Sequence, residues 1–123
     1  MGDARMLQSG NKVIWGTVTI PKSSEDAGTL WALALAGFGA NEDSQMERII
    51  AWKIFKEKDT AMAAYNVGDD TSCTVGKAFG ANEECSSADF PVYGHGLKTL
   101  FLEAAADAAI TAGFYAILAP TKA

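Results

Sequence analysis

The residue best suited to catalysis is His95, the single histidine of the chain. A serine–histidine–acid triad needs this base beside an activated serine, and the nearby Ser86 and Ser87 match no nucleophile-elbow pattern. Glycines flank His95 on both sides, whereas a catalytic base must be held in place. We therefore interpret His95 as a loop residue. With one histidine, a multi-histidine metal site within a single chain is excluded.

Two acidic pairs, Asp69–Asp70 and Glu83–Glu84, carry the hard oxygen ligands that Ca²⁺ prefers. The EF-hand pattern is absent, and turn acids that bond their own backbone account for both pairs. The chain also lacks dinucleotide and phosphate-binding glycine motifs, and no carboxylate pair lies in an apolar stretch that would raise one pKa. We predict no catalytic residue, no metal and no cofactor, and hence a protein that is not an enzyme.

The two cysteines, Cys73 and Cys85, lie on either side of a glycine-rich stretch. Their spacing fits no zinc pattern, because zinc ligands come as close pairs. A disulfide between them is geometrically possible. Two free thiols in a reducing compartment is the interpretation that we favour.

Three tryptophans, Trp15, Trp31 and Trp52, could stack on sugar rings, as in lectin-like sandwiches. Each lies inside an apolar stretch, which favours core packing over an exposed binding role. A glycan- or receptor-binding module stays open as the alternative function.

An identical pentamer occurs twice, at Phe38-Gly39-Ala40-Asn41-Glu42 and at Phe79-Gly80-Ala81-Asn82-Glu83. Glycine and asparagine tolerate positive φ, and asparagine and acids bond neighbouring backbone N–H groups. The repeat therefore predicts one kind of turn used twice, in a chain of short strands separated by turns.

Length and charge exclude several classes of protein. The chain has 123 residues, 49% hydrophobic and 20% charged, which suits one globular domain with a real core. The net charge of −5 and the scattered cations argue against nucleic-acid binding. No apolar run approaches the roughly 18 residues of a membrane span, and the first 11 residues lack the apolar core of a secretory signal. We therefore expect synthesis in the cytoplasm.

The clearest strand is Val13–Ile20, with Ile14, Val18 and Ile20 on one face and Trp15 on the other. Residues 1–11 show no periodicity and are predicted to be an N-terminal arm, with one domain over 12–123. Thr29–Gly37 favours a short helix by its leucines and alanines, although a strand is also possible.

Residues 44–56 fit two structures. Ser44 and Glu47 have capping-box spacing for a helix, whereas Arg48–Phe55 alternates as a strand that groups Ile50, Trp52 and Ile54.

Further strands are predicted over Ala61–Val67, Leu97–Leu102 and Gly113–Leu118, with turns at Gly68, Gly76 and Gly80. Glu103–Ala109 is helical by propensity, or is the bend of a hairpin that returns through Ile110. The whole pattern predicts a mainly β protein, an antiparallel β-sandwich of about seven strands with one or two short helices.

One stretch resembles a known family. Ala64–Ser72, with Val67-Gly68-Asp69 followed by Gly76, is similar to the strand-and-turn pattern of small β-sandwich structural proteins of tailed phages. Leu97–Ala105 and Phe114–Leu118 match later segments of that pattern, and the resemblance covers roughly residues 12–119. Cys73, Cys85 and the high tryptophan content depart from it.

The resemblance implies a virion protein made in the host cytoplasm, a capsid decoration or minor capsid protein. Its partners would be copies of itself and a major capsid protein, with no nucleic acid and no membrane. We expect interface contacts at the arm and at the two matching turns, where exposed apolar residues and loop tips lie. The residues concerned are Met6, Leu7, Phe38, Asn41, Phe79 and Asn82.

Overall fold

The chain folds into two antiparallel β-sheets in a computed structural model that describes residues 2–6, 10–35, 47–69, 73, 76–89 and 100–120. Within these residues there are nine strands and one π-helical turn, Trp31–Leu35. The strands are β1 (Gly2–Met6), β2 (Lys12–Ile20), β3 (Gly28–Thr29), β4 (Glu47–Phe55), β5 (Tyr65–Gly68), β6 (Gly76–Phe79), β7 (Cys85–Ser86), β8 (Phe101–Ala104) and β9 (Ile110–Pro120).

The strands form a five-stranded sheet in the order β1-β2-β9-β4-β7 and a four-stranded sheet in the order β3-β8-β5-β6. Buried residues of both sheets belong to one apolar cluster, with Trp52 and Phe114 from the first and Tyr65 and Leu102 from the second. The predicted mainly β, antiparallel sandwich is confirmed, with nine described strands in place of about seven. No helix among the described residues has the length and apolarity needed to cross a bilayer.

The central strand of the larger sheet is β9, which pairs with β2 on one side and β4 on the other. Its alternate residues from Ile110 to Leu118 are buried, and they lie beside buried partners such as Ile14 and Trp52. The predicted alternation of β2 is confirmed, because Ile14, Val18 and Ile20 are all buried. The small residues of β9 at Ala112 and Ala116 leave room for these larger neighbours.

Residues 47–55 form strand β4, so the helical alternative for this segment is wrong within that range. A β-bulge between Ile49 and Ala51 inserts one residue and moves the side-chain alternation by one position. Ile49, Trp52 and Ile54 are consequently buried, while Ile50 is half-buried. The strand pattern was right from Trp52 onward and wrong before the bulge.

The leucine- and alanine-rich segment after residue 28 is partly helical. Gly28–Thr29 pairs with β8, and Trp31–Leu35 then makes a single π-helical turn. The Thr29 hydroxyl accepts a hydrogen bond from the Ala32 N–H at 3.1 Å, which satisfies one of the free donors at the start of the turn. Residues 36 and 37 lie outside the described residues.

The segment after β8 is a bend, as one of the two alternatives predicted. Its residues 105–108 are exposed and adopt no helix, because a short, uncapped alanine run cannot nucleate one. The bend does not close a hairpin, since β8 and β9 lie in different sheets. The Ala105 N–H donates to the Ala64 carbonyl at 3.0 Å and fixes where the chain crosses over.

Residues 2–6 of the predicted arm are an integral strand. β1 pairs antiparallel with β2, with Gly2 opposite Gly16 and Met6 opposite Lys12, and it forms one edge of the larger sheet. Trp15 and its neighbours in β2 therefore have a strand on each side.

Gly68, where a turn was predicted, is the last residue of β5 and has a steric role. A Cβ built on Gly68 would lie 2.5 Å from the Cα of Cys73, which folds back over it with a positive φ of 49°. Cys73 and Cys85 are not joined by a disulfide, in agreement with the interpretation that we favoured. Gly76 begins strand β6, whereas a turn was predicted there.

We expect Gly68→Ala to destabilise the protein by about 2 kcal/mol, because the clash is with backbone that cannot rotate away. Gly28→Ala is the matched comparison, since its Cβ would meet the movable side chain of Leu33. Urea unfolding of both variants checks the order. Equal losses would contradict a backbone clash at Gly68.

A second prediction concerns pH. Burial, and to a lesser extent Asp89, raises the pKa of the Cys85 thiol from 9.0 to about 12. The folded state therefore holds this proton more tightly than the unfolded chain, so the contribution to stability is complete below pH 9.0 and is lost as the pH rises toward 12. Burial raises the pKa of Tyr65 as well, with the same sign.

We expect the free energy of unfolding to fall by on the order of 2 kcal/mol between about pH 8 and about pH 10.5 through Cys85 alone. Urea titrations at the two pH values measure it. In Cys85→Ala the fall should be smaller, whatever the starting stability. An equal fall in the variant would contradict the assignment to Cys85.

Candidate functional site

The outward side of the five-stranded sheet carries aromatic and aliphatic side chains where a sandwich usually presents polar ones. Pairing across three strands aligns Trp15 with Tyr115 and Tyr115 with Lys53, and in the next rows it aligns Val13 with Ile117 and Thr17 with Gly113. We call Val13, Trp15, Phe55, Tyr115 and Ile117 the outer aromatic face.

Trp15 is the most exposed member of this face. The residue is 38% exposed, and it is the one exposed large hydrophobic residue in the described part of the chain. Trp31 and Trp52 are buried, with only 7% and 1% of their surface exposed. The prediction of core packing is therefore confirmed for these two tryptophans and wrong for Trp15. The alternation of β2 explains the difference, because Trp15 follows the buried Ile14.

The Phe55 ring packs closely against Gly113 of the neighbouring strand β9. A Cβ built on Gly113 would come within 2.5 Å of the Phe55 ring. The rings of Phe55 and Tyr115 have centroids 6.3 Å apart at a tilt of 42°, a favourable geometry for an aromatic pair. Gly113 thus allows a broad, low apolar surface instead of a ridge.

An open groove of about 470 Å³ borders this face. Phe55 and Tyr115 supply its apolar wall, and the rest of its lining is polar: Lys53, Lys56, Asn82 and Glu84. Lys53 Nζ lies 2.6 Å from Glu84 Oε2. The hydrogen bond to Glu84 raises the pKa of Lys53. Because the pair is partly solvated, it adds little to stability and stays available to a partner.

The two serines considered for catalysis have hydroxyl groups that accept hydrogen bonds from backbone N–H groups. The Ser86 hydroxyl accepts a hydrogen bond from the Ala88 N–H at 3.2 Å, and the Ser86 N–H donates to Asp89 at 3.0 Å. The Ser87 hydroxyl accepts from the Trp52 N–H at 3.5 Å. His95 lies outside the described residues. Within the described part of the chain, no group of three or more His, Cys, Asp or Glu could hold a metal ion.

Of the six interface residues predicted from sequence, three lie outside the described residues: Leu7, Phe38 and Asn41. Met6 ends β1 opposite Lys12. Phe79 is buried and stacks on Tyr65 with centroids 5.2 Å apart, so its ring is in the core instead of at a loop tip. Asn82 is exposed and lines the groove.

The second copy of the pentamer has the turn chemistry expected of it. Asn82 has a positive φ of 62°, and Glu83 accepts a hydrogen bond from the Gly80 N–H at 2.6 Å. This turn carries the chain from the four-stranded to the five-stranded sheet. The first copy, residues 38–42, lies outside the described residues.

Asn82 also ties this turn to the loop between β4 and β5. Its side-chain oxygen accepts from the Met62 N–H at 2.9 Å, and its own N–H donates to the Met62 carbonyl at 2.7 Å. The buried Tyr65 hydroxyl donates to the Glu83 carbonyl at 2.9 Å. Two loops that cross between the sheets are thereby held together beside the groove.

Sequence reasoning did not place Phe55 and Tyr115 at a site. The available signal was the pairing of Gly113 with Phe55 on β4 and of Tyr115 with Trp15 on β2, which requires knowledge of strand order. Comparison of the chain with protein-family models, curated proteins and solved structures finds no match.

We expect Asn82→Ala to cost about 2 kcal/mol, because it removes the hydrogen bond to Met62 and forces alanine into a left-handed conformation. Asn82→Gly keeps the conformational freedom and loses the hydrogen bond alone, so about 1 kcal/mol is expected. Thermal or urea unfolding measures both. A ranking with glycine worse than alanine would contradict this role.

Proposed function

We propose that the protein is a non-enzymatic structural protein of a virus particle, a capsid decoration or minor capsid protein. It acts through contact area, with copies of itself and with a major capsid protein. The outer aromatic face carries this proposal, because it is an apolar surface of the larger sheet and its most prominent residue, Trp15, is exposed.

The proposal draws on two further features. The antiparallel sandwich is the fold implied by the resemblance of Ala64–Ser72 to phage structural proteins. In addition, aromatic residues dominate the energetics of interfaces, and each buries on the order of 150–250 Å² when covered. Many copies related by particle symmetry would multiply a modest contact into stable attachment.

The test is quantitative mass spectrometry of gradient-purified particles from the source. A copy number equal to that of the major capsid protein, or a simple fraction of it, is the expected result. A handful of copies would place the protein at the tail or neck instead. Absence from particles would contradict the proposal.

The role of the face is tested by binding of purified protein to particles that lack it. We expect Trp15→Ala to weaken binding by about tenfold or more, as truncation of an aromatic anchor does. Thr19→Ala is the matched control, since Thr19 is exposed on the same side of the same strand. Equal binding by the two variants would show that the face is not the contact.

The groove favours a second candidate, a glycan- or receptor-binding module of a tail or fibre. Tyr115 and Phe55 could stack on a sugar ring while Glu84, Lys53 and Asn82 bond its hydroxyls. Saccharide titration followed by tryptophan fluorescence distinguishes the two functions. A saturable change that is lost in Tyr115→Ala would support the module, and no response to any saccharide would argue against it.

A further inference from the structure

The edge of the larger sheet formed by β1 differs from the other sheet edges in the described structure. Strands β3 and β7 are edges of two residues each, too short to pair with another chain. Edge strand β6 carries Lys77 opposite the buried Val67, and a charge at an inward position discourages edge pairing. β1 is longer, with five residues, Gly2–Met6, and the residue that pairs with the buried Ile14 is the uncharged Ala4.

Geometry limits how a second copy of β1 could pair with it. In an antiparallel ladder, the free N–H and C=O groups along an edge belong to every second residue. In a two-fold pair, the residues whose N–H and C=O groups point away from β2 must lie opposite residues of the same kind in the second copy. The axis therefore passes through a residue, and the registers with substantial overlap are centred on Asp3, Ala4 or Arg5.

Charge selects one of these three registers. Centring on Asp3 places two aspartates directly opposite each other, and centring on Arg5 does the same with two arginines. Centring on Ala4 places Asp3 opposite Arg5 of the partner subunit, and Arg5 opposite the partner's Asp3. Opposite charges in directly facing positions stabilise a strand pair, whereas like charges destabilise it.

We propose that the protein forms a two-fold dimer through antiparallel pairing of β1 with β1 of a second copy, centred on Ala4. This inference rests on the self-association in the proposed function and names its surface. Pairing joins two five-stranded sheets into one, and every backbone group along the shared edge gains a partner. All five residues of β1 lie within the paired segment.

The dimer has a consequence for the outer aromatic face. An axis that relates two antiparallel neighbours in one sheet runs perpendicular to the sheet, so both copies turn the same side in the same direction. Asp3 lies opposite Trp15 in the pairing of β1 with β2. The two outer aromatic faces therefore flank the joint and point the same way, so that one dimer meets a flat partner with two contacts.

Charge reversal tests the register. Sedimentation equilibrium of the full chain, tagged at its C-terminus to leave β1 free, gives the dimer dissociation constant. Asp3→Arg and Arg5→Asp should each raise it by about tenfold or more, because each places like charges opposite one another. The double variant Asp3→Arg/Arg5→Asp should restore dimers, and an equimolar mixture of the two single variants should form heterodimers.

Cysteine cross-linking tests the centre of the joint. The Cα atoms of facing residues in an antiparallel pair are about 4.5–5.5 Å apart, within reach of a disulfide. Ala4→Cys should therefore form a disulfide-linked dimer under mild oxidation more readily than Asp3→Cys or Arg5→Cys. The unmodified chain measures the background from Cys73 and Cys85.

The outcomes separate this inference from the proposed function. A monomer at all concentrations would overturn pairing through β1. So would a dimer whose dissociation constant is unchanged by both charge reversals. Preferred cross-linking at residue 3 or 5 would overturn the register. Neither result bears on the copy number in purified particles, which tests the virion role by itself.

Discussion

The structure depends on the pairing register of β9 with its neighbours β2 and β4. Side chains alternate between the two sides of a strand, so one register decides which residues fill the core and which face outward. On β9 the inward set includes Phe114, and the outward set includes Tyr115. A slip by one residue would place Tyr115 in the core and Phe114 outside. Core and candidate surface are therefore two consequences of a single constraint.

Some of this order can be read from the sequence. In β2, apolar residues alternate with polar ones over a length that suits a strand, and the structure follows that pattern. The turn at Gly80–Glu83 was also predictable, because asparagine adopts positive φ readily and an acid can accept a hydrogen bond from a nearby backbone N–H. In such elements the local sequence preference and the tertiary contacts favour the same structure.

Other elements depend on partners that a single segment does not reveal. Glu47–Phe55 satisfies helical and strand patterns at once, and pairing with β9 selects the strand. The bulge at Ile49/Ala51 has no local signal. Residues 2–6 are short and without periodicity, so their place as β1 follows only from the free edge of β2. Trp15 was misjudged because its apolar neighbours outweighed the alternation that turns it outward.

The same limitation applies to the candidate site. The outer aromatic face draws residues from β2, β4 and β9, which are far apart in sequence and adjacent only through strand order. Gly113 is the clearest example, since the reason for a glycine there is the Phe55 ring that packs against it from another strand. The Asn82 hydrogen bonds to Met62 fix a sheet-crossing loop beside this face. The groove and the face are thus supported by the same hydrogen-bonded loop.

The central proposal is that the protein belongs to a virus particle in which the outer aromatic face is covered. Hydroxyl-radical footprinting with peptide mass spectrometry measures this directly, by comparing Trp15 oxidation in free protein and in purified particles. In the free protein Trp15 should be oxidised far faster than the buried Trp52. The account predicts that in particles Trp15 oxidation falls to the level of Trp52. Unchanged oxidation of Trp15 in particles would contradict it.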